Sequence, residues 1–202
     1  MIGRVGLTGN MGSGKSYVCR VFESIGIPVY YADTEAARIM TCPETIAEVS
    51  HVFGRGILSE NGLIDRKKLA SVVFNDAKKL NRLNALIHPR VREDSERWHI
   101  AQRKAGSPYT IQEAAVLFES GHFEHFDCII VVVADQETRI KRVIQRDGIS
   151  REQVMQRMQH QLSQDEKISR ADFVIHNQGN ELLIPRVLDI DAQLRRNFSA
   201  IM

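Results

Sequence analysis

The sequence predicts an α/β three-layer fold built on a parallel sheet, and three observations carry that prediction. Residues Gly9-Asn10-Met11-Gly12-Ser13-Gly14-Lys15-Ser16 fit G-x-x-x-x-G-K-[ST] at every fixed position, between a short buried strand, Ile2 to Thr8, and a helix, Tyr17 to Ile25. Segments of strand and helix character alternate along the chain, as in βαβ units. Cys128 to Val133 is a β-branched run of the kind that parallel strands buried on both faces display.

The first strand, loop and helix define a phosphate-binding loop. Gly9, Gly12 and Gly14 are free to take positive φ and turn backbone N–H groups inward, while the following helix aims its positive dipole end at the same point. Lys15 reaches β- and γ-phosphates in such a loop, and the Ser16 hydroxyl sits on a bridging magnesium ion. ATP with Mg2+ is therefore expected on residues Asn10, Met11, Gly12, Ser13, Gly14, Lys15, Ser16 and Tyr17. A dinucleotide loop is excluded, because G-x-G-x-x-G requires a glycine where the chain has Tyr17.

After a break at Gly26-Ile27-Pro28, Val29 to Tyr31 reads as a second strand leading to Asp33. Two readings of Asp33 stand side by side: a carboxylate at the ligand-binding edge of the sheet, and an N-cap for a helix over Thr34 to Met40. From Thr41 to Gly106 helical segments dominate, punctuated by Gly54, Gly56, Asn61-Gly62 and His88-Pro89, which indicates a helical insertion. Lys67-Lys68 and Lys78-Lys79 read as solvated faces, His88 as a loop or cap residue and Trp98 as partial core, while Arg90 or Arg92 could hold a substrate phosphate.

Tyr109 to Glu113 is the third strand. Glu113 at its end, or Glu119 beyond it, is the acid expected near the metal. The fourth strand, Cys128 to Val133, leads into a helix on which Arg139, Arg142 and Arg146 share one sector and Ile140, Val143 and Ile144 the next. The apolar sector is expected to dock and the arginine sector to stay free, either as a solvated face or as a charge-neutralising one. Ser150-Arg151-Glu152-Gln153 resembles a capping box opening a second helix with Val154, Met158 and Leu162 on one face, so two helices form a candidate lid. Asp172 to His176 is the fifth strand, and Glu181 to Asn197 the last helix. The expected division is a core of about 1–34, 107–135 and 170–202, an insertion of about 35–106 and a lid of about 136–169.

Composition excludes several classes. With 27 Lys plus Arg against 25 Asp plus Glu in 202 residues, no general charge drives the chain to nucleic acid or to an anionic membrane. The longest apolar run, Ile129 to Ala134, is too short to span a bilayer, and the opening Met-Ile-Gly-Arg-Val reads as strand rather than leader, so a cytoplasmic protein is expected, as a monomer. Cys19, Cys42 and Cys128 have neither disulfide-framework nor zinc spacing and read as buried free thiols.

Several separated stretches together resemble one family, the dephospho-CoA kinases among the phosphate-loop NTPase folds. They are Gly6 to Ser16, Tyr31-Ala32-Asp33 with Ala37-Arg38, Leu86 to Val91, Leu117 to Gly121, Arg142 with Arg146-Asp147-Gly148, and Ala171 to Ile175 through Asn177 and Gly179. The resemblance implies transfer of the γ-phosphoryl group of ATP to the ribose 3′-hydroxyl of dephospho-CoA, giving CoA and ADP in the last step of CoA synthesis. It casts Asp33 as the group that orients or deprotonates the hydroxyl, and Lys15, Arg142 and Arg146 as carriers of developing charge. The insertion would hold the acceptor with His88, Arg92 and Glu119 among its contacts, under a lid that excludes water. Four residues at three sites depart from the family. Asn10-Met11 stand where two glycines and an aliphatic residue are usual, a change that looks harmless because Asn tolerates positive φ; Tyr31 replaces a common acid; Ala115 replaces a common proline. A different small-molecule or nucleotide kinase of this fold is the nearest alternative, whereas a GTPase switch lacks its N-K-x-D motif.

Overall fold

β1 (Gly3–Thr8) occupies the centre of the sheet, and its composition permits this, since nothing in Gly-Arg-Val-Gly-Leu-Thr demands solvent on both faces. The computed structural model describes residues 2–73, 76–179 and 182–199. All five strands run parallel in the order β2-β3-β1-β4-β5, with β2 at Val29–Tyr31, β3 at Tyr109–Glu113, β4 at Cys128–Val133 and β5 at Phe173–His176. Every strand expected from the sequence is present within one residue of its bounds. β1 lies between β3 and β4, where successive crossovers leave in opposite directions, the switch point at which open parallel sheets bind ligands.

Residues divide into two compact units, 1–31 with 99–202, and 32–98. In the first, the alternation of β4 creates the layers. Cys128, Ile130 and Val132 face one apolar cluster with Val18 and Phe22 of α1 (Lys15–Ser24) and residues of the last helix; Ile129, Val131 and Val133 face another with Leu117, Phe118 and Ile168.

The second unit holds α2 (Ala32–Ile39), α3 (Pro43–Phe53), α4 (Arg66–Val73) and most of α5 (Ala77–Lys104), gathered on Val49, Ile57, Leu69, Val73 and Ile87. Two expectations fail here. α2 starts immediately after β2, so Asp33 lies in its first turn rather than at a cap. His88-Pro89 does not break the chain; α5 continues through Pro89, so His88 is a helix-interior residue. Leu83, Leu86, Ile87 and Val91 pack on the cluster from both sides of the proline, and Arg90 Nη1 donates to the Leu86 carbonyl at 2.7 Å in the turn that the ring disturbs. Packing outweighs the local cost of proline.

Beyond β4 the first unit continues with α6 (Gln136–Asp147), α7 (Arg151–Met158), α8 (Gln164–Ile168) and, after β5, α9 (Leu183–Ser199). The capping box at Ser150 is formed. α8 is an additional helix opened by a second capping box at Ser163, and because α7 ends at Met158, Leu162 is not on its apolar face but packs with Ile129 and Phe118. The beginning expected for the last helix, Glu181, lies outside the described residues. Cys19 and Cys128 are buried, and Cys42 only half so. Burial pushes the Cys128 thiol up to about 12 and the Cys19 thiol further, so neither is a nucleophile near neutrality.

Candidate active site

The phosphate loop leaves the C-terminal end of β1 and enters α1, whose first turn has neither a side-chain cap nor an acidic residue. Its N–H groups and dipole are thus left to an anion. Gly12 (φ 80°) and Gly14 (φ 95°) take left-handed conformations. Space enforces the second glycine as firmly as conformation does: a Cβ on Gly14 would stand 2.0 Å from Asn177 Nδ2. Asn10 does not use positive φ, which among the described residues is confined to glycine. Its side chain instead donates from Nδ2 to the Leu162 carbonyl at 2.8 Å, so the substitution judged harmless builds a contact.

The loop's charged neighbours come from three elements, α1, β3 and α6, and a neutral amide follows β5. Lys15 Nζ donates to the Gly9 carbonyl at 3.0 Å and stands 3.7 Å from Glu113 Oε1, both side chains about nine-tenths buried. Parallel pairing that sets Leu7 opposite Glu113 brings that carboxylate beside the loop. Arg142 on α6 donates to the Gly12 carbonyl at 3.4 Å and to Asn177 Oδ1 at 3.2 Å, while Asn177, just past β5, donates to the Ser13 carbonyl at 2.8 Å. The hydroxyls of Thr8 and Ser13 are buried beneath the loop without a protein partner. Ser16 and Tyr17 lie exposed on the first turn of α1.

The arginine sector of α6 is not free. Arg139 is buried, its Nε donating to the Ala134 carbonyl at 3.1 Å, and desolvation lowers its pKa; Arg142 is engaged with the loop. Only Arg146 is largely solvated, paired with Asp147 at 2.7 Å. Glu119 turns inward, holding Lys167 Nζ at 2.9 Å and accepting from Leu162 N at 2.9 Å. Tyr31 has its phenol held protonated by burial and then by the neighbouring Cys19 and Glu23.

In the second unit, Asp33 lies in the first turn of α2, where a carboxylate suits the helix dipole. His88 is half-buried on α5, and burial lowers its pKa. Arg92 is exposed, and Arg90 pairs with Glu48 at 2.7 Å. Arg38 pairs with Glu35 and with Asp94.

Site reasoning from sequence missed Asn177 as a clamp and Lys167 altogether. Asn177 had a usable signal, because it directly follows a strand, at the edge where open parallel sheets bind ligands. Lys167, in a short polar helix, had none.

The dephospho-CoA kinase family model matches residues 3–182. A dephospho-CoA kinase of Geobacter sulfurreducens is 41% identical over 94% of this chain and 97% of its own. Among solved structures, TT1252 from Thermus thermophilus superposes with a TM-score of 0.85 at 33% identity, covering 95% of this chain and 97% of that one. The dephospho-CoA kinase from Campylobacter jejuni superposes with a TM-score of 0.73 at 27% identity, covering 98% and 99%.

Proposed function

The chain belongs to the dephospho-CoA kinase family and is a kinase that phosphorylates dephospho-CoA in CoA synthesis, and from that premise we propose which residues perform the transfer. ATP is the phosphoryl donor. The observation that carries the proposal is the convergence of Lys15 and Arg142 on one glycine loop at an uncapped helix N-terminus.

Residues Asn10 to Tyr17 bind the triphosphate, the loop's backbone N–H groups donating to its oxygens. Lys15 and Arg142 neutralise charge that spreads over the transferring group as the bond to the leaving oxygen loosens. Both are held in place before nucleotide arrives, Lys15 by the Gly9 carbonyl and Glu113, and Arg142 by Asn177. Arg146 joins them once the lid closes. Asp33 accepts the proton of the ribose 3′-hydroxyl while that oxygen attacks phosphorus, leaving ADP and the 3′-phosphate ester. His88 and Arg92 hold the acceptor from the helical insertion. Glu119 drops out as an acceptor contact in this proposal, since its carboxylate is committed to Lys167 and Leu162.

The donor set fits magnesium, which keeps most of its shell as phosphate and water oxygens and needs few protein ligands. Ser16 supplies an exposed hydroxyl and Glu113 a carboxylate at the strand beside the loop. When bound, the ion draws off charge from the β- and γ-phosphates. A monomer in the cytoplasm completes the proposal; no helix among the described residues is long and apolar enough to cross a membrane. ADP release coupled to product identification, with dephospho-CoA, adenosine, AMP or shikimate as acceptor, tests the assignment. Turnover to CoA with dephospho-CoA alone is the expected result.

A further inference from the structure

Lys167 is the one lysine fully withdrawn from solvent among the described residues, and the phosphoryl-transfer scheme above does not use it. Its ammonium group donates to the Ala115 carbonyl at 3.2 Å and pairs with Glu119 Oε1 at 2.9 Å. Glu119 Oε1 also accepts from Leu162 N at 2.9 Å. The Leu162 carbonyl accepts from Asn10 Nδ2 at 2.8 Å, and the neighbouring Gln161 Oε1 accepts from Met11 N at 2.8 Å. The Met11 side chain packs against the cluster of Ile140, Val143 and Val154, the apolar seam of α6 and α7. An unbroken chain of polar contacts thus joins the ion pair of buried Lys167 and partly exposed Glu119 to the front corner of the phosphate loop. A buried ion pair is a poor source of stability, because desolvation consumes much of its attraction, but it fixes geometry wherever both partners have further bonds. Both partners here do.

We propose that Lys167 is a positioning residue for nucleotide binding: acting through Glu119 and the Gln161–Leu162 backbone, it holds the Asn10–Met11 corner of the phosphate loop in the shape that receives ATP. The proposal rests on the kinase reading for the identity of the nucleotide, but not on the identity of the acceptor. Asn10 and Met11 are the residues this bracket grips.

The test is a mutant cycle on the full chain, with ATP-Mg affinity measured by calorimetry in the absence of acceptor, KM for each substrate, and the thermal midpoint. Lys167→Met weakens ATP-Mg binding about tenfold, with the KM for dephospho-CoA within about twofold of the parent. Asn10→Ala weakens ATP binding less, and adds nothing in the Lys167→Met background because both cut one path. Glu119→Gln reproduces the loss by leaving the ammonium group buried without a counter-charge, and combining it with Lys167→Met recovers part of the affinity. Independent, multiplying effects of Asn10→Ala and Lys167→Met overturn the proposal, as does a lowered thermal midpoint with unchanged ATP affinity. Should Lys167→Met fail to fold, the cycle of Glu119→Gln with Asn10→Ala decides by the same criterion. If the parent protein phosphorylates none of the acceptors, the acceptor assignment falls while the calorimetric cycle still decides the role of Lys167.

Discussion

Asn177 donates to the carbonyl oxygen of Ser13 across 2.8 Å and 164 residues of chain, so the last strand of the sheet clamps the loop that follows the first. The same carboxamide accepts from Arg142, so one side chain holds both the loop and the arginine that bonds to the Gly12 carbonyl.

Truncating that clamp is expected to be costly in two measurable ways. Asn177→Ala leaves the Ser13 carbonyl and the Arg142 guanidinium each one partner short, with a stability loss of about 1–3 kcal/mol in denaturant unfolding. ATP affinity falls with it. Gly14→Ala abolishes nucleotide binding, and adding Asn177→Ala does not restore it, because removing the 2.0 Å clash leaves the left-handed backbone strain.

Lys15 and Glu113 are expected to separate by role. Lys15→Ala removes a donor aimed at developing charge and lowers kcat by roughly 10²–10³-fold. Glu113→Gln preserves the shape of the strand end but withdraws its charge from Lys15 and, under the proposed roles, from magnesium, so its rate loss shrinks when free magnesium is raised. Steady-state rates over a magnesium titration check both.

Asp33→Asn retains the side-chain volume and cannot take a proton. ATP affinity is expected to be unchanged and turnover to fall at least about a hundredfold, the usual scale for a general base. Near-parental turnover would remove Asp33 from the base role.

His88 gives the second unit an acid limb. Burial lowers its pKa below the ordinary 6.5, so as pH falls through 6.5 the unfolded chain takes up the proton before the folded one does. The stabilisation is complete above 6.5 and is lost progressively toward the folded-state pKa. His88→Asn is expected to flatten that part of the profile, read from melting midpoints at closely spaced pH values.

What the sequence made legible depended on whether a signal was local. The β-branched run Cys128 to Val133 and the glycine loop each specify their structure within a few residues, and both were read correctly. α8 escaped notice because five residues, Gln-Asp-Glu-Lys-Ile, are too few to display a helical period. Pro89 misled because the rule that proline ends helices describes an average cost, which the apolar residues on either side of it exceed here. The pairing of Lys167 with Glu119 and of Asn177 with Ser13 joins residues far apart in sequence, and no local pattern announces such contacts.

The sheet order also dictates when the protein becomes competent during its synthesis. β1 emerges ahead of its two neighbours, β3 and β4, which are made after the whole of the second unit, whose own apolar cluster lies within residues 36–91. That unit therefore has its complete set of partners while the central strand of the sheet still lacks both neighbours. The bracket from Gln161 to Lys167 and the clamp at Asn177 arrive later still. A ribosome-bound chain stopped before β5 would carry every residue of the phosphate-loop motif and hold ATP weakly, because the loop is translated before the segments that complete it.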